Sequence, residues 1–198
     1  MNAPVSINAQ QRGSSLSNEP SIRPVPDRSP LHLVTTQGQV QIHTSRFRGS
    51  FSIVLSEALR SAGLGSKVLI SQFLRGGVHQ GPNGAINLCG RLEWIRPAIE
   101  TCSPDQLEKE DLSLKRKYAE KAIKELWEFC KTRLIQKKLD KLVLDEIGIA
   151  ISLGFIKEND LISMINNRPS STDIILTGPS IPPKVIEMAD QITELRSN

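Results

Sequence analysis

The sequence has no long apolar run. None approaches the roughly 20 consecutive apolar residues that a membrane-spanning helix requires. The first residues also lack the charged start and hydrophobic stretch of a signal peptide. We therefore expect a cytoplasmic protein without membrane contact.

Cysteine is scarce, and the excess of positive charge is small. Cys89, Cys102 and Cys130 are scattered and odd in number, which suits neither a disulfide framework nor a zinc site of paired cysteines. A formal net charge of +4 permits an anionic ligand such as a nucleotide but does not indicate nucleic acid. The lysines of residues 115–141 alternate with glutamates, as on a solvated helix face, so nucleic-acid binding is not expected.

Residues 1–30 contain few aromatic or clustered aliphatic side chains and are rich in Ser, Asn, Gln and Pro. Such a segment cannot bury enough apolar surface to offset the entropy of ordering it. We predict a flexible, disordered N-terminal arm followed by one domain over residues 31–198. The arm is expected to be a solvated tail, and docking to a protein partner is the alternative.

The pattern of apolar residues from residue 31 onward predicts alternating strands and helices. A strand, a short loop, a helix and a second strand form a βαβ unit, which pairs its strands in parallel. The pattern therefore predicts an α/β fold with a doubly wound, mainly parallel sheet. The predicted strands are 40–43, 67–73, Leu92–Ile95, Lys141–Asp145 and Asp173–Thr177, and the predicted helices are 50–62, 112–138, 159–165 and 183–189.

The loop after the first predicted strand opens directly onto a helix. In such a loop, backbone N–H groups and the helix dipole attract phosphate. The predicted ligand-binding residues are Thr44, Ser45, Arg46, Arg48, Gly49 and Ser50. Arg46 and Arg48 have two interpretations that stay open: guanidinium groups that grip phosphate, or solvated turn residues.

This loop lacks two side chains of a working phosphate loop. Such a loop carries Gly-Lys-Ser/Thr, in which the lysine contacts the β- and γ-phosphates and the hydroxyl contacts magnesium. The order here is Gly49-Ser50-Phe51. The loop therefore predicts weakened nucleotide binding.

Two acids end the apolar strand Lys141–Asp145. Asp145 and Glu146 lie where proteins of this architecture keep the acid that reaches magnesium, directly or through water. The alternative is that the acids cap the helix that follows. Together with the loop, they predict a Mg²⁺ site, working or relic.

Several motifs occur in the order and spacing of a known family. The chain resembles the P-loop-class ATP:corrinoid (cob(I)alamin) adenosyltransferases from about residue 38 to 196. The motifs are Arg60-Ser61-Ala62-Gly63, Gln72-Phe73-Leu74-Arg75-Gly76, Leu142-Val143-Leu144-Asp145-Glu146, Asn167-Arg168-Pro169 and Ile174-Ile175-Leu176-Thr177-Gly178.

The resemblance implies a P-loop NTPase fold and a reaction. Members of the family transfer the 5′-deoxyadenosyl group of MgATP to the reduced cobalt of cob(I)alamin or a cobyrinate precursor, and they are commonly dimeric. It therefore implies ATP, Mg²⁺ and a corrinoid as ligands, and a homodimer. Because cobalt is the nucleophile, no catalytic side chain is expected.

The departures from the family fall on the working parts. Ser50 and Phe51 replace the loop Lys and Thr, Pro179 stands where the family has Arg, and nothing near residues 100–104 matches the family's Gly-Phe-Thr-Trp. We therefore expect adenosyl transfer to be weak or lost. The alternative function is that of a catalytically inactive descendant acting as a regulatory, scaffold or ligand-binding protein.

Overall fold

The computed structural model describes residues 37–49, 51–76, 80–99, 113–136 and 139–196. The predicted N-terminal arm lies outside the described residues. So do Ser50, Cys102 and the region around residues 100–104. The arm and the domain boundary therefore stay predictions.

The described residues form a seven-stranded sheet. Its order is β3-β4-β2-β5-β6-β1-β7, and all neighbours are parallel except β3 and β4. The predicted mainly parallel sheet is confirmed. The strands are β1 (Val40–Ser45), β2 (Val68–Gln72), β3 (Ile86–Leu88), β4 (Leu92–Ile95), β5 (Lys141–Asp145), β6 (Asp173–Thr177) and β7 (Gln191–Leu195).

Helices cover both faces of the sheet, because side chains alternate between the two faces along each buried strand. On one face, Val143 and Ile175 pack with Phe51, Val54 and other side chains at the start of α1. On the other face the neighbouring strand residues pack with the remaining helices in a larger core. The helices are α1 (Ser52–Gly63), α2 (Ser113–Gln136), α3 (Ile147–Ser152), α4 (Glu158–Asn166) and α5 (Pro183–Ile186), with a 3₁₀ turn at Pro82–Gly84.

Some details differ from the sequence-based expectation. Within the helix predicted over 112–138, the apolar side chains of Leu114 and Tyr118 are about two-thirds exposed near its first turns, so they lie outside the core. The helix expected over 183–189 ends at Ile186. Strands β3 and β7 and helix α3 were not predicted; the two strands have mostly exposed residues, so they lack the apolar pattern of the predicted strands.

The strand order brings the predicted site segments together. Strands β5, β6 and β1 are consecutive in the sheet and parallel, so their carboxyl ends lie at one edge. Asp145 ends β5, Thr177 ends β6, and the loop from Ser45 follows β1. Ligands of doubly wound sheets bind beyond this edge.

No helix among the described ranges is long and apolar enough to cross a membrane.

Candidate functional site at the carboxyl edge of the sheet

The loop between β1 and α1 is anchored at both ends. At its start the Ser45 hydroxyl donates a hydrogen bond to the Phe47 carbonyl at 2.5 Å. At its end Phe51 is 2% exposed and packs against the sheet, and its carbonyl accepts the N–H groups of Val54 and Leu55. Phe51 is therefore a core residue, and it offers no oxygen-bearing side chain to a ligand.

Arg48 crosses from the loop to the end of β5. Its Nε and Nη2 atoms donate hydrogen bonds to the two carboxylate oxygens of Glu146, at 2.5 and 2.8 Å. Nη2 also donates to the Leu74 carbonyl at 2.8 Å, just beyond β2. Glu146 is 1% exposed, whereas the Arg48 side chain keeps 35% of its surface exposed. This two-pronged ion pair fastens the loop to the rest of the edge, a geometry that arginine suits and lysine does not.

Asp145 is held by neutral donors. Thr177 donates a hydrogen bond from Oγ1 to Asp145 Oδ1, and Gln72 Nε2 donates to Oδ2 at 2.8 Å. Asp145, Thr177 and Gln72 are all at most 3% exposed. Buried carboxylates are costly unless their oxygens accept hydrogen bonds, so these partners account for the burial of Asp145.

Gln72 extends this network to β4. Its Oε1 accepts hydrogen bonds from Trp94 Nε1 at 3.0 Å and from Arg96 Nε at 2.8 Å. Arg75 lies beside the same network, with its Nε 3.9 Å from Asp145 Oδ2. Two further arginines therefore border the acids.

The backbone around Glu146 is tightly packed. Glu146 itself adopts a left-handed conformation, with φ 62°, immediately before α3. A Cβ atom at Gly148 would lie 2.3 Å from the Pro179 carbonyl oxygen, and one at Gly178 would lie 3.1 Å from the Glu146 Cα. The acid pair is thus positioned by close contact between α3 and the segment after β6.

An open cleft of about 560 Å³ flanks the loop on the side of β7. Arg46 lies here, with its guanidinium 5.6 Å from the Phe47 ring centroid, and Phe47 is 65% exposed. At the cleft's other wall, Arg196 pairs with Glu194 at 3.0 Å. Arg46 and Arg48 both line this cleft, and of the two only Arg48 is also paired with Glu146.

The acid pair does not fit a magnesium site as it is arranged. Magnesium requires near-octahedral oxygen coordination at about 2.1 Å. Here both oxygens of Glu146 accept from Arg48, and both oxygens of Asp145 accept from Thr177 and Gln72. Within the described ranges no group of three or more His, Cys, Asp or Glu side chains is placed to hold a metal ion. The assignment of Asp145 and Glu146 as metal ligands stays a prediction.

Potential nucleophiles and bases at this edge are weak. Burial raises the pKa of the Cys130 thiol to about 12, so this thiol stays protonated. Burial also lowers the pKa of His43, which lies on β1 opposite Thr177, below its usual value. The sequence-based expectation of no catalytic side chain stays a prediction.

Sequence reasoning missed the partners of the acids. It placed Gln72 and Thr177 in motifs but gave neither a role, and it considered Arg48 only for phosphate or solvent. The available signal was that Gln72 and Thr177, like Asp145, are polar residues ending apolar strands that sequence reasoning had predicted. Their pairing across the sheet follows from the strand order, which the sequence did not reveal.

Comparison with known proteins identifies a family. A family model described as ATP:corrinoid adenosyltransferase BtuR/CobO/CobP matches residues 36–198. Three relatives cover most of the chain at 26% identity. The corrinoid adenosyltransferase of Escherichia coli K12 matches over 81% of this chain and 77% of its own. Corrinoid adenosyltransferase CobA of Salmonella typhimurium matches over the same shares, and the corrinoid adenosyltransferase of Pseudomonas aeruginosa over 80% and 75%.

Proposed function

The chain belongs to the ATP:corrinoid adenosyltransferase family, and on that premise we propose that this member binds MgATP weakly and transfers the adenosyl group slowly or not at all. The family reaction joins the 5′-deoxyadenosyl group of MgATP to the cobalt of a reduced corrinoid, cob(I)alamin or a cobyrinate precursor. In this proposal the chain keeps the fold and the ligand-binding edge of the family. It has lost much of the machinery for MgATP.

One observation carries the proposal: both carboxylate oxygens of Glu146 are engaged by Arg48. This guanidinium already neutralises Glu146, so a magnesium ion that replaced it would cost the hydrogen bonds of the ion pair. Each charge-assisted hydrogen bond that is lost costs about 1.5–3 kcal/mol, which is about one to two powers of ten in affinity. MgATP therefore binds at the expense of contacts that the protein already makes.

The burial of Phe51 supports the same conclusion. It stands where the family carries the hydroxyl residue, and its ring lies in the core between α1 and the sheet. No rotation of this side chain could present an oxygen to a metal ion. The remaining contribution of the loop is positive charge from Arg46 and the dipole at the start of α1.

A second candidate is a catalytically inactive regulatory, scaffold or ligand-binding protein. The observation that favours it is the contrast between a fully packed sheet and a site whose acids are satisfied by the chain's own donors. A cytoplasmic location and a homodimer belong to the proposal in either form, and docking of the N-terminal arm to a protein partner stays the alternative to a solvated tail.

Calorimetry with MgATP tests nucleotide binding. We expect a dissociation constant of about 1 mM or weaker, or no measurable heat, since two side chains of the phosphate loop are missing and Glu146 is occupied. The Escherichia coli relative measured under the same conditions is the control. A micromolar dissociation constant would contradict the proposal.

A visible-absorption assay tests the transfer itself. The protein is incubated with MgATP and chemically reduced cob(I)alamin, and adenosylation is followed as a change in the visible bands. We expect little or no change over a period in which the Escherichia coli relative completes the reaction. Turnover at the relative's rate would restore the enzyme function and exclude the inactive alternative.

A further inference from the structure

Positive charge exceeds negative charge at the carboxyl edge of the described sheet. Arg46 and Arg48 follow β1, Arg75 follows β2, and Arg96 follows β4. The acids among them are Asp145 and Glu146 at the end of β5, and the nearby Glu194 is paired with Arg196. Four arginines thus follow the strands at this edge, against two acids at the end of β5, and Arg48 and Arg75 lie beside those acids.

Arg48 contacts Glu146 and its surroundings in the way that a bound metal cation would. Arg48 reaches the end of β5 from a neighbouring loop, contacts both carboxylate oxygens, and also contacts the Leu74 carbonyl. A metal ion in this position would draw on the same kind of oxygen ligands. A guanidinium remains charged at every physiological pH, so it neutralises Glu146 permanently.

We propose that Arg48 takes the place of a divalent cation at Glu146, so that this edge binds a polyphosphate anion in its metal-free form. The inference rests on the proposed function for where the ligand binds. It adds that the ligand binds as an anion without a metal ion. The anion contacts Arg46 and the exposed part of Arg48, with Arg75 and Arg96 adding positive potential. Metal bound to the anion weakens binding, because it cancels the negative charge that these groups attract.

Arg75 supports an anion at this edge. Its Nε is buried but finds no hydrogen-bond partner among the described residues, and the distance of 3.9 Å to Asp145 Oδ2 is too long for a hydrogen bond. Burying a hydrogen-bond donor without an acceptor costs free energy, so an acceptor placed here would stabilise the protein. The positive charge of Arg75 would repel an added cation, whereas it would attract an anion.

Titration with Mn²⁺ tests the exclusion of metal. Mn²⁺ prefers oxygen ligands as Mg²⁺ does, and its free ion is measured by electron paramagnetic resonance. We expect the wild-type protein and Glu146→Gln to leave equal amounts of Mn²⁺ free, because Glu146 takes no metal in either. Stronger Mn²⁺ binding by the wild type than by Glu146→Gln would overturn the proposal.

Removal of Arg48 should create the metal site. In Arg48→Ala the oxygens of Glu146 become available, so we expect one new Mn²⁺ equivalent and a rise in thermal midpoint of at least about 3 °C in millimolar Mg²⁺. The double variant Arg48→Ala with Glu146→Gln should lose both effects. Arg46→Ala is the matched control, since the structure shows no contact between Arg46 and the acids, and it should gain neither. A folded Arg48→Ala that binds no Mn²⁺ would contradict the proposal.

Calorimetry with inorganic tripolyphosphate tests the anion, and it compares the wild-type protein with Arg46→Ala. We expect binding in the presence of a chelator, at least about tenfold weaker binding in excess Mg²⁺, and about tenfold weaker binding by Arg46→Ala. Binding that requires Mg²⁺, or no binding in either condition, would overturn the proposal. Adenosyl transfer at the rate of the Escherichia coli relative would instead refute the proposed function. That outcome would leave the expected Mn²⁺ result unchanged.

Discussion

At the scale of single residues, Arg48 and Phe51 determine what the loop can do. Sequence reasoning identified Phe51 as a departure from the family and Arg48 as a candidate ligand-binding residue. For Arg48 it left two interpretations open, a contact with phosphate or exposure to solvent. The structure gives a third answer, an ion pair with Glu146. This answer depends on the proximity of two residues 98 positions apart, which no local pattern contains.

Phe51→Thr tests whether the buried aromatic is structural. Phe51 is 2% exposed, so its replacement by the family's residue should leave a cavity and lower the free energy of unfolding by about 3 kcal/mol. Urea unfolding measures the difference. Restoring the family's hydroxyl alone should therefore destabilise the protein without recovering nucleotide binding.

The control for this variant is Ile53→Thr, two residues further along. Ile53 is 64% exposed on α1, so the same kind of change there should alter stability by no more than about 0.5 kcal/mol. Equal losses in the two variants would show that the helix, and not the core contact of Phe51, accounts for the effect.

At the scale of elements, the buried apolar segments were predictable, and segments that are ordered by contact with distant parts of the chain were not. The sequence predicted β4, β5 and β6 with the observed bounds, because each is a compact apolar run. It missed β7, which is mostly exposed and is ordered by pairing with β1. It also missed α3, a helix of only six residues whose position depends on contact with the segment after β6.

Gly148→Ala tests the close approach that positions the acids. The added Cβ would meet the Pro179 carbonyl oxygen at 2.3 Å, so α3 must move away from the segment after β6. We expect the free energy of unfolding to fall by at least about 2 kcal/mol, measured by urea unfolding.

The matched control is Gly63→Ala at the end of α1. A Cβ at Gly63 meets nothing within 4 Å, and the residue is helical, so alanine should raise stability by about 0.5–1 kcal/mol. A Gly148→Ala variant as stable as the wild type would contradict the described packing of α3.

At the scale of the whole molecule, the fold class followed from the sequence, and the location of the site stays a prediction. Alternating strands and helices predicted the doubly wound sheet, and its carboxyl edge was the expected position of a ligand. The order of the strands was not predictable, because it depends on pairings between distant segments. The hydrogen bonds of Asp145 and Glu146 depend on that order, so the state of the site was not predictable either.

The family match shows why the hydrogen bonds of Asp145 and Glu146 matter for function. The family model matches residues 36–198, while each carboxylate oxygen of Asp145 and Glu146 accepts a hydrogen bond from the chain's own side chains. The account therefore depends on the Arg48–Glu146 ion pair more than on any other contact.

A crystal structure of the protein grown with ATP and Mn²⁺, with an anomalous difference map, tests this contact most directly. We expect the Arg48 guanidinium to remain on both oxygens of Glu146, with no anomalous peak within coordinating distance of Asp145 or Glu146. A manganese peak about 2.1–2.2 Å from either carboxylate, with Arg48 turned away and a triphosphate on the loop, would contradict the account.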